Sequence, residues 1–183
     1  MRVKRIYGAI IVAVLLILIP WWVCHSTETS LGDNSVRVFF SPDGGCTKAI
    51  IDELTNAKSQ ILVQAYSFTS APIAKALLTA HKRGMKVEVI LDKSQRMEKY
   101  SSATFLANSI IPTFIDDAHG IAHDKIMIID RQTVITGSFN FTKAAEEKNA
   151  ENLLIIQSPE LAKLYIENWK HHREHSEPYA PRN

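Results

Sequence analysis

The 183-residue sequence predicts an α/β sandwich: a mixed, largely parallel β-sheet with helices on both faces. Three observations carry that prediction. Along residues 36 to 175 the apolar period switches repeatedly between two and 3.6, so strand and helix patterns alternate. Val87 to Leu91 is nearly continuous in apolar residues, as a strand covered on both faces should be. No segment repeats another, and the stretch is long enough to bury the core of one domain without disulfides.

The elements follow in order. Val36 to Phe40 is a strand, and Pro42-Asp43-Gly44-Gly45 turns the chain into a helix with Ile50, Ile51, Leu54 and Ala57 on its apolar face. Ile61 to Tyr66 is the next strand. Ser70 can cap a helix with Pro72 in its first turn and a buried stripe of Ile73, Ala76, Leu77 and Ala80; Gly84 ends it after His81, Lys82 and Arg83. After the Val87 strand come a helix through about Asn108 and a strand at Thr113 to Ile115. A hairpin then forms from Ile126-Met127-Ile128-Ile129 and from Thr133 to Thr136, followed by a strand at Leu153 to Gln157. Ser158-Pro159 opens the last helix, with Leu161, Leu164, Tyr165 and Trp169 inward. From Lys170 the chain is polar, and residues 176–183 are expected to form a flexible tail. His171, His172 and His175 read as a solvated helix end rather than metal ligands, since no carboxylate or cysteine framework accompanies them.

Residues 1–30 are separate. Arg2, Lys4 and Arg5 precede an apolar stretch from Ile6 to Cys24, the pattern of a signal sequence or signal anchor. The leading positive charges place the amino end in the cytoplasm. The domain is therefore expected to be exported, either periplasmic or held on the periplasmic side of the inner membrane by an uncleaved segment. Trp21-Trp22-Val23 is too bulky for lipoprotein processing at Cys24. Cys46 is the one cysteine of the domain, which excludes an internal disulfide, and reads as a small buried helix residue. With 21 Lys plus Arg against 19 Asp plus Glu, composition provides no broad field for a polyanion.

Chemistry is concentrated between residues 123 and 140. His123-Asp124-Lys125 leads into the first hairpin strand, Asp130 ends it, and Gly137-Ser138-Phe139-Asn140 follows the second. Alternation along a strand places His123 and Lys125 on one side, aimed at a common point. Asp130 has the opposite parity, which favours a structural role such as anchoring a turn. A neutral imidazole can attack a phosphodiester and form a phosphohistidine. Lys125 would hold the non-bridging oxygens as a point charge, Ser138 and Asn140 could donate to them, and Gly137 lets the backbone come close.

This composite resembles the signature of the phospholipase D superfamily, H-x-K-x4-D-x6-G-S-x-N, with every fixed position filled at the family spacing. The resemblance extends to Ala65-Tyr66-Ser67-Phe68-Thr69, to Arg83-Gly84 before the Val87 strand, and to Phe141 through Asn152. It covers residues 36 to about 175 and is strongest with the short, single-motif bacterial endonucleases of that superfamily. What it implies is a phospholipase D-like fold and a metal-independent phosphodiesterase without cofactor, acting on DNA and in addition on RNA. A phospholipid headgroup ester is the alternative substrate, and a non-catalytic polyanion-binding module the alternative of a different class. The intact motif argues against the latter. By the same resemblance Glu151 is the carboxylate expected to hold the second nitrogen of His123.

In-line displacement sets the attacking and leaving groups on opposite sides of phosphorus, so one His123 cannot both attack and protonate the departing oxygen. Family members with two motif copies supply two histidines from one chain; this chain has one copy. A homodimer with a shared site on a two-fold axis is therefore expected. His119 is a weaker candidate for a second acid within one chain and reads first as an ordinary loop histidine. Asp116 and Asp117 are adjacent in a turn, where two carboxylates rarely converge on one ion. Tyr66 and Phe68 are candidates for base stacking, with core packing the better reading for at least one.

Overall fold

The structure is a computed structural model that describes residues 27–31 and 34–181. The apolar amino-terminal segment and Cys24 lie outside the described residues. In chain order the elements are β1 (Thr27–Leu31), β2 (Asn34–Ser41), α1 (Cys46–Asn56), β3 (Gln60–Ala65), α2 (Ala71–Lys82) and β4 (Lys86–Asp92). A 3₁₀ turn (Lys93–Arg96) leads to α3 (Ala103–Asn108), β5 (Thr113–Asp116), β6 (Lys125–Ile129), β7 (Thr133–Gly137) and α4 (Lys143–Glu147). β8 (Glu151–Gln157), α5 (Pro159–His175) and β9 (Glu177–Pro178) complete the chain.

The strands form one sheet in the order β1-β2-β8-β7-β6-β3-β4-β5-β9. Its period-two faces sort the core. Ile61, Val63 and Ala65 of β3 join Val89 and Leu91 against α1, α2 and α3, which contribute Ile50, Leu54, Ile73, Leu77 and Leu106. Leu62 of β3, with Ile90, Ile128 and Val134, faces Ala162 and Trp169 of α5 on the other side. The Trp169 indole donates to Val63 O at 3.0 Å, so its one polar atom is satisfied within the layer.

The mixed α/β sandwich is as predicted, but the balance of strand directions is reversed. Between the named strands, parallel pairing occurs in β3-β4-β5, the two steps with a helical crossover. The remaining pairings are antiparallel, because β6 and β7 are a hairpin and β8 inserts between β7 and β2. Periodicity reports which face a strand buries and carries no information on its direction.

Four local expectations are corrected as well. Leu164 is 62% exposed, since the inner stripe of α5 runs through Ala162 and Trp169 with Leu161, Tyr165 and Ile166 beside them. Residues 93–108 are not one helix: the Asp92 carboxylate accepts from Ser94 N at 2.8 Å and tightens the first turn to 3₁₀. Residues 27–30, assigned above to the leader, belong with Leu31 to a strand that pairs antiparallel with β2 at the sheet edge. The expected flexible tail is anchored, with β9 paired to β5 and the Tyr179 hydroxyl 2.8 Å from Thr104 Oγ1.

The histidine-rich end of α5 is not a solvated terminus either. His172 Nδ1 lies 2.7 Å from Asp116 Oδ2, and His175 Nε2 lies 3.3 Å from Asp116 Oδ1. His119 Nδ1 reaches the same carboxylate at 3.0 Å. Burial alone would raise the Asp116 pKa, but the three imidazoles outweigh it and hold the group at about 2. The carboxylate framework missing locally arrives from β5, 56 positions upstream of His172.

Candidate active site

The site sits at one end of the sheet, where the start of β6 and the segments following β3 and β7 meet. Lys125 begins β6 beside Ala65, the last residue of β3, and Tyr66 N donates to Asp124 O at 2.7 Å to continue that pairing. The segment after β7 is sewn to the one after β3: Phe141 N donates to Ser67 O, while Thr69 N and Ser70 N both donate to Phe141 O. Phe68, Phe139 and Phe141 are fully buried beneath this seam, and the Phe68 and Phe141 rings meet edge to face at 5.7 Å. Phenylalanines alternate with polar residues here so that every second side chain anchors while the next is presented.

His123 stands exposed on the loop just before β6, not within the strand. Its ring packs against Tyr66 with centroids 4.6 Å apart. Lys125 is only 6% exposed, and its ammonium donates to His123 O at 2.9 Å while lying 5.2 Å from the Tyr66 ring centroid. Burial holds that ammonium below the usual lysine range, with the Asp124 and Glu151 carboxylates pulling it partly back. The two residues therefore share a neighbourhood, as the spacing predicts, though through a backbone contact and a common aromatic neighbour.

Gly137 has φ 145°, and a Cβ there would stand 2.3 Å from Asn152 O. Glycine is required so that the strand end can press against β8. Ser138 N then donates to Asn152 O, and Ser138 Oγ accepts from Asn152 N at 3.0 Å and from Asn152 Nδ2 at 3.3 Å. The oxygen is occupied as an acceptor, leaving the hydroxyl hydrogen to donate. Asn140 is half-buried, with its Oδ1 buried and without a hydrogen-bond partner among the described residues. A buried polar atom left unpaired in this way is one that a ligand or a water can complete.

Asp130 lies at the other end of β6. It adopts φ 54°, with Arg131 at φ 59°, and its carboxylate accepts from Lys58 N, Ser59 N, Ser59 Oγ and Gln60 N at 2.7–3.0 Å. Burial would raise its pKa; this set of donors overrides that and lowers it. Asp130 thus clamps the hairpin turn to the start of β3, in keeping with its strand parity.

The expected bond from Glu151 to His123 is absent among the described residues. Glu151 instead accepts from Asn149 Nδ2 at 3.0 Å, and its N–H donates to Ser41 Oγ. It acts on Lys125 through space. His119 turns its Nδ1 to the Asp116 carboxylate at 3.0 and 3.1 Å.

Sequence reasoning missed Gln64 and Asp124. Gln64 is a buried polar residue within β3, and its Nε2 donates to Asp124 Oδ2 at 2.8 Å. One polar side chain inside the apolar run from Ile61 to Ala65 was the available signal. Asp92, 3% exposed, accepts from Ala122 N at 2.8 Å and so ties down the loop that carries His123.

Comparison with known proteins agrees with this geometry. The family profile described as "Cardiolipin synthase, PLD-like domain" matches residues 50–173. A phospholipase D of Rickettsia conorii is 44% identical over 145 residues, covering 79% of this chain and 72% of its own. The mouse mitochondrial cardiolipin hydrolase is 30% identical over 129 residues, 70% of this chain and 58% of the mouse protein. The crystal structure of Nuc, a phospholipase D family member from Salmonella typhimurium, superposes with TM-score 0.78 at 41% identity, covering 80% of this chain and 99% of Nuc. The chain belongs to the phospholipase D superfamily and is a hydrolase of the phosphodiesterase type.

Proposed function

We propose that this phosphodiesterase hydrolyses nucleic acid, DNA and also RNA, through a phosphohistidine formed on His123 in a site shared by two copies of the chain. The carrying observation is the pairing of an exposed imidazole with a buried ammonium that it touches through its own carbonyl. A neutral His123 nitrogen attacks phosphorus, and the bond to the departing nucleoside oxygen breaks. The partner copy's imidazolium gives that oxygen its proton. The same imidazole, now neutral, takes a proton from water; the hydroxide attacks phosphorus, the P–N bond breaks, and His123 returns. Lys125, Ser138 and Asn140 face the non-bridging oxygens as charge builds. The positive charge on Lys125 suits a step that needs no metal.

Exposure supports the shared site. Ile121, two residues before His123, is 62% exposed, and Phe40, paired across the sheet with Asn152 that holds Ser138, is 65% exposed. Both are apolar groups beside the motif, suited to contact with a second copy. Tyr66 is the side chain positioned to meet a nucleobase.

A phospholipid headgroup ester is the second reading, favoured by the names of the Rickettsia and mouse relatives. The apolar amino-terminal stretch supports placement at the inner membrane facing the periplasm, where either substrate would be met. Plasmid DNA, RNA and phosphatidylcholine supplied side by side to the purified protein in EDTA separate the readings. Nucleic-acid cleavage that disappears in His123→Asn supports the proposal; headgroup release with intact nucleic acid overturns it. An active species that sediments as a monomer would overturn the shared site.

A further inference from the structure

Asp116, His119, His172 and His175 bring four potential ligand atoms within 4.8 Å of one another. They come from three places: the end of β5, the loop that follows it, and the last turn of α5, where His172 and His175 are three residues apart on one face. The carboxylate is fully buried and the imidazoles partly so, with side-chain exposures of 43%, 14% and 26% in chain order.

Hydrogen bonding explains only part of this cluster. His119 Nδ1 and His172 Nδ1 each bond the Asp116 carboxylate. That would complete an ordinary His-Asp-His arrangement. His175 adds a third ring whose Nε2 lies 3.3 Å from Asp116 Oδ1, close enough to act on its charge, yet this buried atom has no well-aligned hydrogen-bond partner among the described residues. The rings also crowd one another, with His119 4.8 Å from His172 and 5.2 Å from His175 between centroids. One cation between them would take a lone pair from each ring and an oxygen from the carboxylate, and would give the buried His175 Nε2 a partner.

We propose that Asp116, His119, His172 and His175 form a structural zinc-type site, taking one borderline divalent transition-metal ion. Three nitrogens and one oxygen match the preferences of Zn²⁺ and are a poor set for Mg²⁺ or Ca²⁺, which favour oxygen. Tetrahedral coordination at about 2.0–2.1 Å leaves ligand atoms about 3.4 Å apart, so modest side-chain shifts from the observed separations suffice. Four protein ligands close the coordination shell, which assigns the ion to holding structure rather than to chemistry.

The position gives that role a target. Lys93 Nζ donates to His119 O at 2.8 Å, and Asp92 binds Ala122 N, so the loop from Asp116 to His123 is pinned at several points. An ion on His119 would tie the origin of this loop to α5 on the far side of β5. It would fix the segment that presents His123 while standing apart from phosphorus, and so is compatible with turnover in chelator.

The test reads metal rather than turnover, and its outcome is independent of the substrate assignment. Tag-free full-length protein is stripped with a chelator, dialysed and titrated with Zn²⁺ in a calorimeter, with melting followed in parallel. The expected result is one equivalent bound, a rise in Tm of several degrees with excess Zn²⁺, and intense visible absorption from tetrahedral Co²⁺ used in its place. His119→Ala and His175→Ala should each lose more than the about 10–100-fold in affinity that removal of an outer-shell partner costs. His171→Ala, a neighbouring exposed residue outside the cluster, should bind as the parent does. Both cluster substitutions are at partly exposed rings, and His119→Ala, at the more exposed one, serves if His175→Ala fails to fold. Absence of stoichiometric uptake by the parent protein, or undiminished uptake in the folded His119→Ala variant, overturns the proposal.

Discussion

The two ends of strand β6 carry parts of one signature and solve opposite problems. At its far end every approach to the Asp130 carboxylate is taken, by three backbone N–H groups and a hydroxyl. At its near end the polar groups are underused: among the described residues the His123 ring packs on Tyr66, Lys125 donates to a single carbonyl, and Asn140 Oδ1 has no partner. A satisfied group stabilises the fold, whereas an unsatisfied one holds a geometry for a ligand at some cost to it. Sequence conservation of a pattern would weigh the two ends alike; their hydrogen bonding does not.

The strongest way to break this contrast is to cut the near end and look for a loss of stability. His123→Asn should lower turnover by about 10⁴-fold or more, because no other group supplies the nucleophile. Its melting temperature should be unchanged, the exposed ring being worth within about 0.5 kcal/mol to folding. Phosphodiester turnover and thermal melting on the same preparation check both halves. A large drop in Tm would show that His123 is part of the framework after all.

Lys125→Met sharpens the comparison at a buried position. Turnover should fall by about 10²–10³-fold as the oxyanion loses its cation. Stability should stay within about 1 kcal/mol of the parent, since the lost bond to His123 O is offset by removal of a desolvated charge. Denaturant melts alongside single-turnover rates distinguish this from a packing defect, in which both would fall together.

How much of this was legible in the sequence follows from the distance between the interacting residues. The motif from His123 to Asn140 is local, so strand parity sufficed to separate Asp130 from His123 and Lys125. The end of α2 was legible for the same reason: Gly84 sits at φ 91° and Met85 N closes on Ala80 O at 3.2 Å. Strand direction was not legible, because antiparallel β8 enters the sheet beside β2, far from it in sequence. The sharpest failure is the α5 terminus, where His172 and His175 look solvated until β5 delivers Asp116 beneath them.

Asp130→Asn tests the far end from the other side. Losing the ionised acceptor from a set of four hydrogen bonds should cost about 2–3 kcal/mol of stability, read as a lower denaturant midpoint. Turnover per folded molecule well below the Tm should change by less than about 3-fold, because the turn is anchored at the opposite end of β6 from the chemistry. A loss of activity comparable to that of Lys125→Met would mean the clamp sets the position of the near end, and the two ends would no longer be separable.

The smallest effect is in the pH dependence of that clamp. The folded pKa of Asp130 lies below its ordinary value of 3.8, so the unfolded chain binds its proton first as pH falls. The stabilisation is therefore fully present above 3.8 and is lost progressively as pH drops toward and through the folded value. The difference in melting temperature between parent and Asp130→Asn should be constant at higher pH and narrow below 3.8. Comparing the two proteins cancels the acid sensitivity of Asp116, whose depressed pKa contributes equally to both. A gap that persisted undiminished below that range would mean that the donors at Lys58, Ser59 and Gln60 hold the protonated carboxyl as well as they hold the anion. Asp130 would then act through shape rather than charge.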